Sequence, residues 1–309
     1  MNKLGRNDKC HCGSNKKYKK CCLMRDELEK DQGGVIGGVL RGPLPAGEDD
    51  DFMNRFVFGI GKIRDAVIKR EERQNFDKDF DVIFQNLVEA KLVKNLCKQY
   101  MERHRKDIME KRDGIITGHQ INVKNPVDDE LNIFFKDFFI RNSMAVNGLK
   151  MLTKKWFGYD ISFLFTNKKK DFERGAIKFK IKKDEADFEV LKKFIETNRS
   201  GWYDDFKNFR NRIEHEGYKL PIVKYKVDEN RNVHAIYPFD NSSQPINKIF
   251  DVGWNNLLVL CEEVIIFIMS RELKDPFIII KVPEEERKKY NWVKYRVVHK
   301  EFPEAQVSF

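Results

Sequence analysis

The sequence predicts a mainly α-helical protein: a helical bundle with small β-hairpin additions and a separate cysteine-rich segment at its N-terminus. Apolar residues recur at three- and four-residue spacing along several long segments, which is the pattern of amphipathic helices. A few short segments alternate between apolar and polar residues beside turn-forming residues, which indicates strands. Four of the six cysteines lie between positions 10 and 22, in a segment too short to bury an apolar core of its own.

Helical periodicity covers most of residues 51–111 and returns in four later segments. Residues 113–126 contain Gly114 and Pro126, interrupt the pattern and are predicted to separate the first two helical regions. In the first region the apolar positions are Phe80, Ile83, Phe84, Leu87, Val88, Leu92, Leu96 and Tyr100. The later helices are predicted at 128–157, 184–197, about 200–216 and 247–272.

The predicted strands are short. The strictest alternation is at 176–182, and this segment is predicted to pair with 161–165. Residues 223–227 and 233–237 flank the turn-forming run Asp-Glu-Asn-Arg-Asn and are predicted to form a hairpin. Two further strands are predicted near the C-terminus, at 277–282 and 293–298.

Composition divides the chain into five parts. Six glycines and two prolines within 32–48 are typical of a linker, which we expect to be flexible and to extend over 24–50. It separates the cysteine-rich segment at 1–23 from the helical remainder. The remainder is divided into a helical region at 51–120, a helical domain at 121–275 and a β-rich C-terminal segment at 276–309.

Charge and hydropathy restrict the class of protein. The 309 residues carry a formal net charge of +10, which favours acidic partners and above all nucleic acid. The alternative, that the lysines only solvate the surface, stays open. No apolar run approaches the roughly 18 residues of a membrane span, and the first residues lack the apolar stretch of a secretory signal. The chain is therefore expected to be cytoplasmic, with no membrane span.

The N-terminal cysteines have the spacing of a metal site. A Cys-x-Cys pair is followed after eight residues by a Cys-Cys pair, and clustering in a reducing compartment favours a metal over disulfides. Zinc prefers four thiolates in a tetrahedron, and Gly13-Ser14 allows a tight turn beside the first pair. With all four positions filled, the zinc would be structural and would supply folding energy. The predicted zinc ligands are Cys10, Cys12, Cys21 and Cys22.

This segment resembles the SEC-C module found at the C-terminus of the SecA translocase motor and attached to many unrelated proteins. The matching residues are Gly5-Arg6-Asn7-Asp8, the four cysteines, Gly13-Ser14 and Lys16-Lys17-Tyr18-Lys19-Lys20. Seven basic side chains against one acidic one make residues 1–22 basic. The resemblance implies a zinc-dependent docking module for a protein partner, an acidic surface or the ribosome.

A second motif lies in the predicted helix at 200–216. Trp202, Phe206, Phe209 and Ile213 form its apolar stripe, and Gly217 is expected to end it. Beside the stripe the sequence reads Arg210-Asn211-x-x-x-His215.

This pattern, in a late helix of an α-helical bundle, resembles the HEPN family. Its ribonuclease members carry Arg, four to six residues and then His. The resemblance would cover 128–272. It implies a homodimeric endoribonuclease that needs no catalytic metal and leaves a 2′,3′-cyclic phosphate.

The residue types suit RNA cleavage without metal. An imidazole, whose pKa lies near neutrality, can take the 2′-hydroxyl proton or give one to the leaving 5′-oxygen. A guanidinium supplies a permanent cation where negative charge builds. Asn211, four residues before His215, could orient the imidazole. Arg210 and His215 lie about 140° apart around a helix, so two protomers are needed to bring them together.

Other interpretations stay open. Arg210 could simply pair with Glu214 one turn later, leaving Asn211 and His215 on a solvated face. The chain would then be a non-enzymatic, zinc-dependent adaptor that binds a protein or the ribosome. A DNA-binding regulator is disfavoured because no recognition helix is evident. Under the leading hypothesis the protein is a toxin or antiphage abortive-infection effector that acts on RNA. His104, His234 and His299 have no recognisable partners in the sequence.

Overall fold

The computed structural model describes residues 17, 52, 54–110, 114–117, 120–123, 127–238, 246–290 and 293–303. The cysteine-rich segment and the linker, apart from Lys17, lie outside the described residues. Asp50–Phe309 form one compact unit. The domain boundaries placed at residues 120 and 275 stay predictions.

The described part is mainly helical, which confirms the predicted α class, and it contains seven α-helices. The predicted bounds at 128–157, 184–197 and 247–272 agree with the observed ends to within one residue. The helices are α1 (Ile60–Val67), α2 (Arg73–Met109), α3 (Asp128–Phe157), α4 (Lys169–Lys182), α5 (Glu185–Asn198), α6 (Asp204–His215) and α7 (Ile246–Glu272). Shorter helical turns lie at Asn54–Gly59, Arg70–Glu72, Ser162–Phe165, Arg199–Tyr203 and Glu284–Tyr290.

The core forms where α2, α3 and α7 pack together, and phenylalanine supplies much of it. Phe138 of α3 contacts Phe250 of α7 with ring centroids 4.5 Å apart. The row of apolar positions predicted for the first helical region is wrong at Leu92 and Leu96, because both side chains are exposed. The buried positions are instead Val93 and Cys97, which continue the three- and four-residue spacing from Ala90 to Met101.

Helix α7 is the described helix that is long and apolar enough to cross a membrane, judged by length and composition alone. In the fold, 67% of its most apolar 18-residue window is buried. A core helix of a globular domain shows the same burial. The absence of a membrane span stays a prediction.

Three two-stranded antiparallel sheets lie in the described part. The first, β1 (Gly114–Thr117) with β2 (Gln120–Val123), lies within the predicted break in helix. The second, β3 (Lys224–Val227) with β4 (Val233–Ile236), confirms the predicted hairpin. The third, β5 (Phe277–Lys281) with β6 (Tyr295–His299), confirms the two predicted C-terminal strands and pairs them.

The predicted strands at 161–165 and 176–182 are wrong. The first segment forms the helical turn Ser162–Phe165, and the second lies within α4. In α4 the apolar contacts come from Phe172 and Phe179, seven residues apart, whose rings lie 5.8 and 6.0 Å from that of Phe163. Phe172 and Phe179 therefore lie on one face of a helix, two turns apart, and make the apolar contacts that the alternating pattern had assigned to a strand. Ile177 is exposed.

Helices α5 and α6 follow each other without a loop. The turn between them, Arg199–Tyr203, is π-helical, and the backbone at Asn198 and Asp204 on either side is right-handed helical. A π turn inserts one extra residue and rotates the side chains that follow it. Trp202 and Tyr203, the last two residues of this turn, are both buried.

A buried charge cluster joins the start of the compact unit to α7 and to the C-terminal sheet. The Glu262 carboxylate accepts two hydrogen bonds from Arg55, at 3.2 and 2.6 Å, and one from Lys294, at 2.9 Å. Lys294 also donates to Glu263, at 2.6 Å, and the Tyr295 hydroxyl donates to the same Glu263 oxygen, at 2.6 Å. Two cations and two carboxylates thus balance within the cluster.

Candidate active site

Helix α6 is fixed against α3 by its aromatic stripe. The Phe206 ring lies 4.7 Å from that of Phe139, and the Phe209 ring lies 5.8 Å from that of Phe135. The predicted stripe is confirmed for Trp202, Phe206 and Ile213, which are buried, whereas Phe209 is half-buried. The packing sets the rotation of α6 and therefore the direction of its polar residues.

The C-terminus of α6 ends as predicted. Gly217 has φ +64°, in the left-handed region that glycine adopts at little cost. The Tyr218 amide bonds back to the Arg212 carbonyl at 3.1 Å and closes the last turn. The Arg212 guanidinium stacks on the Tyr218 ring at 4.2 Å, which further holds the chain after the helix.

The guanidinium of Arg210 is half-buried and has two partners on its own helix. Its Nη2 lies 2.6 Å from Oε2 of Glu214, an i,i+4 ion pair. Its Nη1 donates to the Asn211 side-chain oxygen at 3.2 Å. Its Nε is buried and makes no hydrogen bond in the described part. The sequence left the Glu214 pairing open as a structural role for Arg210, and this pairing is present.

Arg210 also lines a small cavity between α3, α6 and α7, of about 20 Å³, with room for roughly one water-sized group. Asn142 lines it too, and the amide oxygen of this buried side chain makes no hydrogen bond in the described part. Arg210 Nε and Asn142 Oδ1, a donor and an acceptor without a hydrogen bond among the described residues, thus belong to residues that line the same cavity.

Asn211 and His215 have different surroundings. Asn211 lies with Phe209 and Arg212 along a second, larger hollow, and its amide oxygen accepts from Arg210. The imidazole of His215 is exposed at the end of α6 and makes no hydrogen bond, ion pair or ring contact with the described residues. Within the described chain, Arg210 and Asn211 are brought together, and His215 is not joined to either.

Two lysines outside the Arg210-Asn211-x-x-x-His215 motif contact Phe165, and one of them lines the small cavity with Arg210. Lys207 of α6, one turn before Arg210, donates to the Phe165 carbonyl at 3.2 Å and lines the small cavity. Lys150 of α3 lies over the Phe165 ring, 4.6 Å from its centroid. Helical spacing from Arg210 could have indicated Lys207. Nothing local in the sequence indicates Lys150.

The three other histidines named earlier all have partners. His104 is buried in α2, and its Nδ1 lies 2.9 Å from the Tyr237 hydroxyl. That hydroxyl donates to the Met101 carbonyl at 2.8 Å, so it accepts from His104, which fixes the proton on Nδ1. The helical stripe through Cys97 and Met101 could have indicated this burial.

The other two lie nearer the surface. His234 Nε2 lies 2.9 Å from Asp228, and the His299 ring lies 5.8 Å from that of Phe277.

No group of three or more histidine, cysteine or acidic side chains suited to a metal occurs among the residues that the structure describes. The four predicted zinc ligands, Cys10, Cys12, Cys21 and Cys22, lie outside that part. Cys97 and Cys261 are buried, and burial raises the pKa of both thiols, that of Cys97 to about 12. Both are core residues.

Comparison with known families identifies the N-terminal segment. Residues 6–23 match the SEC-C motif, which confirms this resemblance for that segment. The SEC-C motif is in general a zinc-binding module. No match was found among curated proteins, and no solved structure matched the chain.

Proposed function

We propose that the protein is a metal-independent endoribonuclease of the HEPN type that acts as a toxin or antiphage abortive-infection effector. The observation that carries the proposal is the end of α6, where a guanidinium and an imidazole lie five residues apart on a helix that packs on α3. His215 is exposed, so a substrate can reach it. The net charge of +10 favours RNA as the partner.

The chemistry assigns one role to each side chain. The 2′-hydroxyl oxygen attacks the adjacent phosphorus, the bond to the 5′-oxygen breaks, and a 2′,3′-cyclic phosphate forms. His215 takes the 2′-hydroxyl proton or gives a proton to the leaving 5′-oxygen. Arg210 stabilises the charge that builds on the phosphate oxygens. Asn211, which accepts a hydrogen bond from Arg210 at 3.2 Å, orients the guanidinium rather than the imidazole.

The proposed active form is a homodimer. Arg210 and His215 lie about 140° apart around α6, too far for both to face one phosphodiester of a bound RNA. In the dimer the motifs of two protomers face one cleft, and RNA competes with Glu214 for the guanidinium of Arg210.

The proposal is tested with the purified full chain, RNA and EDTA. We expect cleavage to continue in EDTA, because neither proposed catalytic group needs a metal, and to yield 2′,3′-cyclic phosphate ends. End-group analysis of the fragments separates this product from the 3′-hydroxyl ends of most metal-dependent nucleases. Absence of cleavage by a folded, dimeric sample would contradict the proposal.

A second function is favoured by one observation. The ion pair between Arg210 and Glu214, at 2.6 Å, leaves the guanidinium neutralised within one chain. The chain would then be a non-enzymatic adaptor that docks to a protein or the ribosome through its SEC-C segment. This function requires no RNA turnover, and partner capture would depend on zinc.

Under both functions we propose that Cys10, Cys12, Cys21 and Cys22 hold one structural Zn²⁺. A set of four thiolates suits Zn²⁺ and leaves no position for a catalytic water. We expect one zinc per chain by elemental analysis, and loss of the metal when Cys21 and Cys22 are both changed to serine. The matched control, Cys97→Ser, should keep its zinc although burial of the serine hydroxyl lowers stability. Retention of a full equivalent by the double variant would contradict this assignment.

A further inference from the structure

Two ammonium groups converge on one residue where α3 meets α6. Lys207 Nζ lies 3.2 Å from the Phe165 carbonyl oxygen, and Lys150 Nζ lies 4.6 Å from the centroid of the Phe165 ring. Neither lysine has a carboxylate within 4.0 Å in the described part of the chain. The remaining polar contact is from Lys150 to the Asn147 side-chain oxygen, at 3.5 Å.

The convergence has an electrostatic cost. Burial lowers the pKa of Lys150 to about 8, and the charge of Lys207 adds to the effect. Two like charges brought together without a counter-charge are stabilised when an anion binds between them. Lys155, in contrast, has the carboxylate of Asp79 at 2.6 Å. Among the described residues, the site beside Phe165 is therefore cationic and has no carboxylate of its own.

The position of the site identifies the anion. Lys207 lies three residues before Arg210, on the same face of α6, and both line the cavity between α3, α6 and α7. A phosphate group offers several acceptor oxygens that two ammonium groups can share. Because Lys207 and Arg210 lie one helical turn apart, an RNA strand whose scissile phosphate lies at Arg210 would bring a neighbouring phosphate towards Lys207.

We propose that Lys150 and Lys207 form a binding subsite for a backbone phosphate of RNA, adjacent to the phosphate held by Arg210. The inference rests on the proposed ribonuclease function and names how its substrate is held. Lys150 and Lys207 bind the strand without taking part in bond cleavage. Phe165, whose carbonyl and ring contact the two lysines, holds both in place.

The subsite is tested by binding, with cleavage blocked. The full chain carrying His215→Ala is titrated into a fluorescently labelled single-stranded RNA, and anisotropy is recorded over a range of salt concentrations. Adding Lys150→Gln and Lys207→Gln should weaken binding about tenfold or more. The slope of log affinity against log salt should become shallower by about 0.7, because one phosphate contact is lost.

The matched control removes the same charge elsewhere. Lys98→Gln with Lys193→Gln takes two exposed helical lysines, from α2 and α5, and should leave affinity and slope unchanged. The charge-retaining pair Lys150→Arg and Lys207→Arg should keep most of the affinity. Thermal unfolding followed by circular dichroism establishes that each variant is folded. Equal behaviour of the subsite and control variants would overturn the proposal.

A competition arm identifies the source of the phosphate. Inorganic phosphate should displace the labelled RNA no better than chloride at matched ionic strength, whereas unlabelled RNA should displace it fully. Displacement by inorganic phosphate alone would make this a free-phosphate site and overturn the RNA assignment.

The outcomes of the binding test can be told apart from those of the nuclease test. Cleavage with unaltered binding in the lysine variants refutes the subsite alone, and weakened binding without wild-type cleavage refutes the nuclease alone.

Discussion

Replacing His215 with alanine is expected to lower the rate of RNA cleavage by about 10²–10⁴-fold, the usual contribution of a positioned general acid or base. The substitution should leave the fold intact, because the imidazole is exposed and makes no contact with the described residues. Binding of RNA should change little, because the proposed phosphate contacts come from Arg210, Lys150 and Lys207. The measurement is the single-turnover cleavage rate, recorded beside the melting temperature and the RNA affinity.

His234→Ala is the matched control for this prediction. It also removes an exposed imidazole, but one that lies in the β3–β4 hairpin and pairs with Asp228. It should cleave at the wild-type rate. Equal rates for wild type, His215→Ala and His234→Ala would exclude His215 from catalysis.

Substitutions at the ion pair separate the catalytic and structural roles of Arg210. Arg210→Lys keeps the charge but loses the fork geometry, so it should cleave far more slowly if the guanidinium contacts the phosphate. Glu214→Gln removes the carboxylate that lies 2.6 Å away and should retain cleavage, because RNA then meets an unpaired guanidinium. If Arg210→Lys and Glu214→Gln cleave RNA at the same rate, Arg210 has only the structural role that an i,i+4 ion pair allows.

Most of the helices could be predicted from the sequence, because their apolar residues recur with helical spacing. Helices α3, α5 and α7 have apolar stripes long enough for periodicity to locate both ends. The end of α6 was foreseeable as well, since Gly217 is a residue that adopts the left-handed turn without strain. Where the apolar pattern is short, as at 176–182, the same residues are compatible with a strand and with two turns of helix. Here the segment is helical, and Phe179 contacts Phe163.

The candidate site was only partly predictable. Arg210, Asn211 and His215 were found because they lie within six residues of one another, so one helix determines their spacing. Lys150 could not be found in this way, because it reaches the site from α3, and its convergence with Lys207 depends on how α3 packs on α6. The same holds for His104, whose partner Tyr237 is 133 residues away. Pairings that only tertiary packing creates leave no local pattern in a single sequence.

The buried carboxylate of Glu262 gives the largest expected effect on stability. Glu262→Ala would leave the Lys294 ammonium, which is buried, without one of its two carboxylates and would break both hydrogen bonds from Arg55. Breaking a buried ion pair from one side typically costs about 3–5 kcal/mol. The expected loss in the free energy of unfolding has this size and is measured by urea denaturation. Because the cluster joins the chain near residue 55 to β6, both should lose protection from hydrogen exchange.

Glu263→Ala is the comparison, and pH distinguishes the two residues. Glu263 contacts the same Lys294 but is part-exposed, so its removal should cost about 1 kcal/mol. Burial would raise the pKa of Glu263, but the hydrogen bonds from Lys294 and Tyr295 outweigh it, and the pKa lies below its ordinary 4.5. A lowered pKa in the folded state means that the stabilisation is complete above pH 4.5 and is lost as the pH falls through the folded value. Glu263→Ala should remove that part of the acid dependence of stability. Equal losses in the free energy of unfolding for Glu262→Ala and Glu263→Ala would show that the contribution of Glu262 does not depend on its burial.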